Sequence, residues 1–528
     1  MPSSRKFNST TMKPLLILAL ALLPSLTRCA ELGAVTRQMV RPVLIRNEHN
    51  SLLQLTINAK RPFVQVQAIT VELEGATELE SLQFYFTGAD GSFSTMKTFG
   101  DRLRSHKSVV FKGHARLTAG PNRFWLSCRA KAAANLSGKT DARVLSIKTS
   151  AGRLVPRDET PNVRKRIGIA LRRHWDDGVH TYRIPALATS ARGTLLAVYD
   201  MRRRQAKDLQ EDIDIGLLRS TDGGQTWGAQ KVIMDMDTFR GMPQEVNGCS
   251  DPGIIVDPAT GEIFVFAVWM NGRAGTHQWN SGGSEPGHEI GRSAQFMMIR
   301  SLDDGRTWSK PENMTRKWKD PRWILYAPSP QQGIVLRDGT LVMPTAGRDA
   351  ADRRFSNLLI SRDHGKSWTV SPVASYDNTE CQAVQLADDS LMLNCRTEDP
   401  TKFRTVAVTR DLGRTWTPHE TNRMGIIEPN CNGSLYRFDY QNGDRTKSVL
   451  LFANPHSQKS RTNHSIQVSF DEGKTWPAKH RLLLDEGRGK GYPSLSRVDD
   501  RHVGIVYEGS GAHLVFERIP IEELVNDE

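Results

Sequence analysis

Apolar and polar residues alternate with a period of two over about residues 31–155 of the chain. Leu53-Gln54-Leu55-Thr56-Ile57, Phe63-Val64-Gln65-Val66 and Leu82-Gln83-Phe84-Tyr85-Phe86 all carry this pattern, separated by Gly and Asp turns. Such alternation predicts half-buried strands. It occupies residues 31–155, which read as a separate β-sandwich. Residues 156–166 carry Pro and charge and are expected to be a linker. Further strands are predicted at Thr194–Tyr199, Ile263–Val268 and Val503–Tyr507, with a short helix near Ile521–Leu524.

A repeat governs residues 167–528. Ser/Thr-x-Asp-x-Gly-x-Thr/Ser-Trp occurs at Ser220–Trp227, Ser301–Trp308, Ser361–Trp368, Thr409–Trp416 and Ser469–Trp476. Repeats at roughly 50 to 80 residues suit four-stranded blades with loops. Allowing roughly 60 residues per blade, this region predicts a six-bladed β-propeller. In each box the Asp can accept backbone N–H groups of its own turn. The Gly supplies positive φ, and the Trp packs between sheets. These aspartates are therefore structural. The fold class is all-β: a propeller with Asp-box repeats behind a small β-sandwich.

Composition narrows the function classes. Hydrophobic residues are 38% and charged residues 24%, ordinary for a folded chain. A net charge of +13 favours anionic partners. No Lys/Arg block with interleaved aromatics and no zinc-finger spacing occurs, which argues against nucleic acid. Arg5, Lys6 and Lys13 precede an apolar run from Pro14 to Leu26, and Thr27-Arg28-Cys29-Ala30 follows. Residues 1–30 thus read as a secretory signal peptide, too short to span a bilayer comfortably. The expected location is secreted or periplasmic, with a lipid anchor on Cys29 as the alternative. Cys128, Cys249, Cys381, Cys395 and Cys431 are too sparse for a disulfide scaffold, and no Cys-x-x-Cys pair offers a zinc site.

Tyr182-Arg183-Ile184-Pro185 ahead of five Asp boxes resembles the sialidase (neuraminidase) family, over about residues 165 to 520. The N-terminal region resembles the domain preceding many bacterial sialidase propellers. The resemblance implies an exo-α-sialidase acting on terminal sialic acids of glycoproteins or glycolipids, with no metal and no organic cofactor. A sialic acid carries a carboxylate on its anomeric carbon, and an arginine fork matches a carboxylate. By resemblance Arg183, Arg396 and Arg461 form the arginine triad. Lys459 is a close neighbour of Arg461.

The same resemblance assigns Asp208 as acid/base, with Asp200 and Asp212 as rivals. Arg202 would contact the sugar, and Arg203 and Arg204 leave its register open. Tyr492 would be the nucleophile and Glu380 its partner base. A neutral phenol avoids the repulsion a carboxylate nucleophile would meet at this carbon, and tyrosine is a known exception among glycosidases. Glu508 would hold Arg183 in place, and Asp251 would face the sugar substituents. Trp269, Trp279 and Gln295 fall in a loop region that the family varies, without individual roles. Two other readings stay open: a transferase or anhydro-forming sialidase, and a sialoglycan-binding propeller without catalysis.

Overall fold

Six four-stranded blades form, as the repeat predicts, and their innermost strands converge on one central axis. The computed structural model describes residues 32–272 and 275–526. The expected signal peptide lies outside the described residues. Blade one runs Thr181–Thr189, Leu195–Arg202, Ile213–Ser220 and Lys231–Met234 from axis to rim. Blades two to five start on Cys249–Val256, Leu325–Pro328, Asn378–Gln385 and Ser434–Asn442. Blade six starts on Pro493–Asp499 and continues through His502–Tyr507 and Leu514–Pro520.

The outer strand of blade six comes from far earlier in the chain. Lys165–Arg172 pairs antiparallel with Leu514–Pro520, Ile169 opposite Phe516. This closes the ring with ladder hydrogen bonds and leaves no open seam. It also explains five boxes on six blades. A box forms the turn between the third and fourth strands of a blade. In blade six those two strands are not consecutive in sequence, so no such turn exists.

The boxes behave as their residue types predict. Asp222 accepts the backbone N–H of Thr226 at 2.9 Å and the Ser220 hydroxyl at 2.8 Å. Gly224 has φ 88° and donates its N–H to Ser220 Oγ at 2.9 Å. Trp227 Nε1 donates to Gly224 O at 3.0 Å. The ring then meets Phe516 of blade six, centroids 5.2 Å apart. Trp368 of blade three packs the same way on Phe264 of blade two, at 5.8 Å. Each of these tryptophans thus fastens its blade to the preceding one.

The N-terminal sandwich forms as expected. One sheet contains Leu32–Arg37, Asn50–Ala59, Gly120–Ala130, Leu79–Gly88 and Thr98–Arg104. The other is built on Lys139–Thr149, Gln65–Glu74 and Ser108–Arg116. The segment 156–166 is not the free linker its Pro and charge suggested. Arg157–Asp158 pairs parallel with Leu32–Arg37, and Lys165 already pairs with Thr140 of the sandwich. Lys139 Nζ also reaches Glu523 at 2.5 Å across the junction. A single apolar cluster runs from the sandwich into blade one, so propeller and sandwich share a core. Cys128, Cys249, Cys381, Cys395 and Cys431 are buried and free.

Candidate active site

Irregularities in the innermost strands aim the polar residues into one cavity. In blade one the ladder slips between Arg183 and Ala186, where Ile184 has φ 53° and Pro185 has no N–H to donate. A β-branched residue at positive φ is strained and needs outside support. Glu508 supplies it: one carboxylate oxygen accepts the Ile184 N–H at 2.7 Å and Arg183 Nε at 2.6 Å. Its other oxygen accepts the Tyr492 N–H at 3.2 Å. Glu508 therefore ties blade one to blade six where Arg183 and Tyr492 depart. Blades two and four slip at the equivalent places, around Asp251 and around Glu380. Such bulges re-aim side chains.

The cavity they line measures ≈ 260 Å³. Binding pockets commonly span about 300–1,000 Å³, so this one suits a single sugar ring rather than a chain. Arg183, Asp208, Asp251, Glu380, Arg396, Arg461 and Tyr492 all line it. Three guanidinium groups surround one phenol. Arg396 Nη1 lies 3.0 Å from the Tyr492 hydroxyl. Arg183 and Arg461 stand 5.4 and 5.5 Å from its ring centroid. Arg461 is placed by Lys490 O at 2.8 Å and Asn430 O at 3.0 Å, and Arg396 by Asn430 Oδ1 at 2.8 Å. Gly491, at φ 101°, must be glycine: a Cβ there would sit 2.9 Å from Cys431 Sγ and 2.9 Å from Pro455.

Tyr492 Oη donates to Glu380 Oε1 at 2.5 Å, and Glu380 Oε2 accepts Arg396 Nη1 at 2.8 Å. Burial and the Glu380 charge push the phenol well above its ordinary pKa, against the pull of Arg396 and Arg461. The hydroxyl therefore keeps its proton until a base takes it, and the adjoining base is Glu380.

Asp208 stands between a guanidinium and an imidazole. Arg202 pairs with one carboxylate oxygen, and His277 Nε2 lies 3.1 Å from the other. The backbone N–H of Trp279 points at His277 Nδ1 at 3.2 Å. Nδ1 must then accept, which leaves Nε2 as the donor to Asp208. Burial raises the Asp208 carboxyl, but Arg202, the His277 hydrogen bond and Arg183 together hold it well below the usual range. Asp251 is the opposite case. Burial, Asp200, Glu380 and Asp208 drive its carboxyl well above the ordinary value.

Several expectations change. Arg202 does not line the cavity. Its side chain is 0% exposed, and its nitrogens serve Asp200 Oδ2, Ala206 O and Asp208. In this structure it holds Asp208 from behind. Asp200 is no rival acid, because Arg202, Ser250 Oγ at 2.7 Å and the Asp251 N–H at 3.0 Å consume its carboxylate. Asp212 lies off the cavity lining. Of Trp269, Trp279 and Gln295, Trp279 alone lines the cavity. Trp269 and Gln295 are buried, bonded to Asn247 and Ser293. His277, Gln278, Asn280, Arg354 and Glu398 line it without any motif that marked them. Arg354 pairs with Glu398 at 2.6 Å, and Glu398 reaches back to Arg396 at 3.8 Å.

Fold and site together define a β-propeller glycosidase built around a carboxylate-bearing sugar. Residues 174–507 match the BNR repeat-like domain, and residues 33–152 match the N-terminal domain of BNR-repeat neuraminidase. A sialidase of Bacteroides fragilis is 35% identical over 92% of this chain and 94% of its own. A sialidase of Micromonospora viridifaciens is 32% identical over 73% of this chain and 58% of its own. Among solved structures, the Hadza microbial sialidase Hz136 superposes with TM-score 0.88 at 32% identity, over 93% of this chain and all 100% of that one. The chain belongs to the sialidase family, and its class of enzyme is the exo-α-sialidase, a glycoside hydrolase.

Proposed function

We propose that the chain releases terminal α-linked sialic acids from glycoproteins or glycolipids with net retention. One observation carries this reading. A phenol hydrogen-bonded to a carboxylate sits inside a ring of three arginines, in the same cavity as Asp208. The arginines would hold the substrate carboxylate. Tyr492 would attack the anomeric carbon as Glu380 takes its proton. Asp208 would protonate the leaving oxygen, then deprotonate the water that frees the sugar. Asp251 would face the sugar substituents. Glu508 and Arg202 act through Arg183 and Asp208 and are positioning residues. The basic-then-apolar N-terminus supports export. Among the described residues no helix is long and apolar enough to cross a membrane.

The test is product analysis on sialyllactose, followed by proton NMR. Free sialic acid should appear first as its α-anomer. A β-anomer formed first would overturn retention, and an anhydro sugar or a transfer product would replace hydrolysis by the alternative outcome.

His277 supplies a pH test of Asp208. kcat/KM reports the ionisation of the free enzyme. The His277 hydrogen bond favours the carboxylate, so His277→Ala should raise the Asp208 pKa. More of the acid is then protonated at a given acidic pH, and the limb of kcat/KM that falls as Asp208 ionises should move upward. His277→Gln retains a donor and should move it less. A limb that stays put in both variants would mean that Asp208 is not the acid.

A further inference from the structure

A second cavity, of ≈ 810 Å³, opens beside the first. The two share Arg183 and Arg461, and Ala206, two residues before Asp208, lines the second. The leaving oxygen must face Asp208, so the second cavity lies next to the path of the departing glycan. Its volume is about threefold that of the sugar pocket, enough for further residues of a chain.

Its lining is strongly cationic. Lys459, Arg488 and Lys490 are exposed around it, and among the described residues none of their side chains has an ion-pair partner. Glu508 is the one acidic side chain of the lining, and Arg183 and two backbone N–H groups occupy it. Three imidazoles, His174, His180 and His513, also line it. His174 meets His180 at 4.6 Å and His513 at 5.7 Å between centroids, and half-exposed Trp175, outside the lining, packs on His180 at 5.0 Å. His174 Nδ1 faces its acceptor, His180 O, at 2.6 Å, so it must carry a proton. The lining therefore combines rings of the kind that pack against a sugar with three cations that have no ion-pair partner among the described residues.

We propose that this cavity receives the leaving portion of the substrate and selects glycans with a second anionic group, a carboxylate or a sulfate, next to the terminal sialic acid. This rests on the sialidase reading above. A neutral aglycone would leave Lys459, Arg488 and Lys490 in one cavity without a compensating anion. An anion placed there would relieve that repulsion and steer binding.

The test compares the wild-type enzyme with a Lys459→Ala/Arg488→Ala double variant on four substrates. These are a methylumbelliferyl sialoside, neutral sialyllactose, sialyl-lactosamine sulfated on its penultimate sugars, and an α2,8-disialyl lactoside. The wild type should favour at least one acidic glycan over sialyllactose, less so at high salt. The double variant should lose about fivefold to tenfold in kcat/KM on the favoured acidic glycan, as expected for two screened ion pairs. It should change less than about twofold on the umbelliferyl sialoside. Loss on the sulfated glycan alone, the disialyl one alone, or both identifies the anion and supports the proposal. Equal effects on acidic and neutral glycans, or no wild-type preference, overturn it. Failure to cleave even the umbelliferyl sialoside would instead reject the sialidase reading itself.

Discussion

Tyr492→Phe is expected to lower kcat by at least about 10³-fold, on the scale seen when a covalent nucleophile is removed. The substitution deletes one oxygen and little else. The ring stays packed against Ile184 and Cys431, and Glu380 keeps Arg396 as a partner at 2.8 Å. The loss is therefore the phenol's hydrogen bonding to the charged Glu380 and Arg396, about 1.5–3 kcal/mol. Tm should move by no more than a few degrees. Substrate binding should survive too, because Arg183, Arg396 and Arg461 do not depend on the phenol oxygen for their other contacts. The discriminating pair is turnover together with the Kd for free sialic acid. Turnover should collapse while Kd stays within about tenfold. Turnover close to wild type would remove Tyr492 from the chemistry.

This expectation rests on residues of unequal legibility. The five boxes were plain in the sequence, because each is a self-contained turn whose hydrogen bonds run within eight residues. The sixth blade had no such mark, since its outer strand, Lys165–Arg172, joins Leu514–Pro520 across more than 340 positions. That long-range pairing is also why residues 156–166 read as a linker. Local composition reported Pro and charge, while the partners that tie the segment down lie elsewhere in the chain. Arg183, Arg396, Arg461, Glu380 and Tyr492 stood in recognisable segments, and the structure brings them into one cavity. Nothing local marked His277 or Arg354, and Trp279 stood only as one residue of a variable loop region without a role. They reach the cavity from the long loop after Ile263–Trp269 and from the first residue of Arg354–Ser361. Arg202 shows the same limit from the other side. Its position in the chain was right for a sugar contact, but buried Asp200 turns it away from the cavity and toward Asp208.

Asp208→Ala should separate substrates by the quality of their leaving group. A sugar alkoxide leaves poorly without a proton, and general acid catalysis is worth about 10² to 10⁴ in rate. kcat/KM on sialyllactose should fall by that factor. A methylumbelliferyl group departs as a stabilised phenolate and needs little help, so its kcat/KM should fall less than about tenfold. The second half of the reaction also uses Asp208, now as base toward water. With that step slowed, the tyrosyl intermediate should accumulate on the umbelliferyl substrate. kcat and KM should then fall together, and an initial burst of released fluorophore should precede slow steady turnover. The fold should tolerate the change. The Asp208 side chain is 42% exposed, and Arg202 keeps its contacts with Asp200 at 3.2 and 3.0 Å. Equal losses on both substrates, with no burst, would show that Asp208 only positions the sugar and that the proton comes from another group.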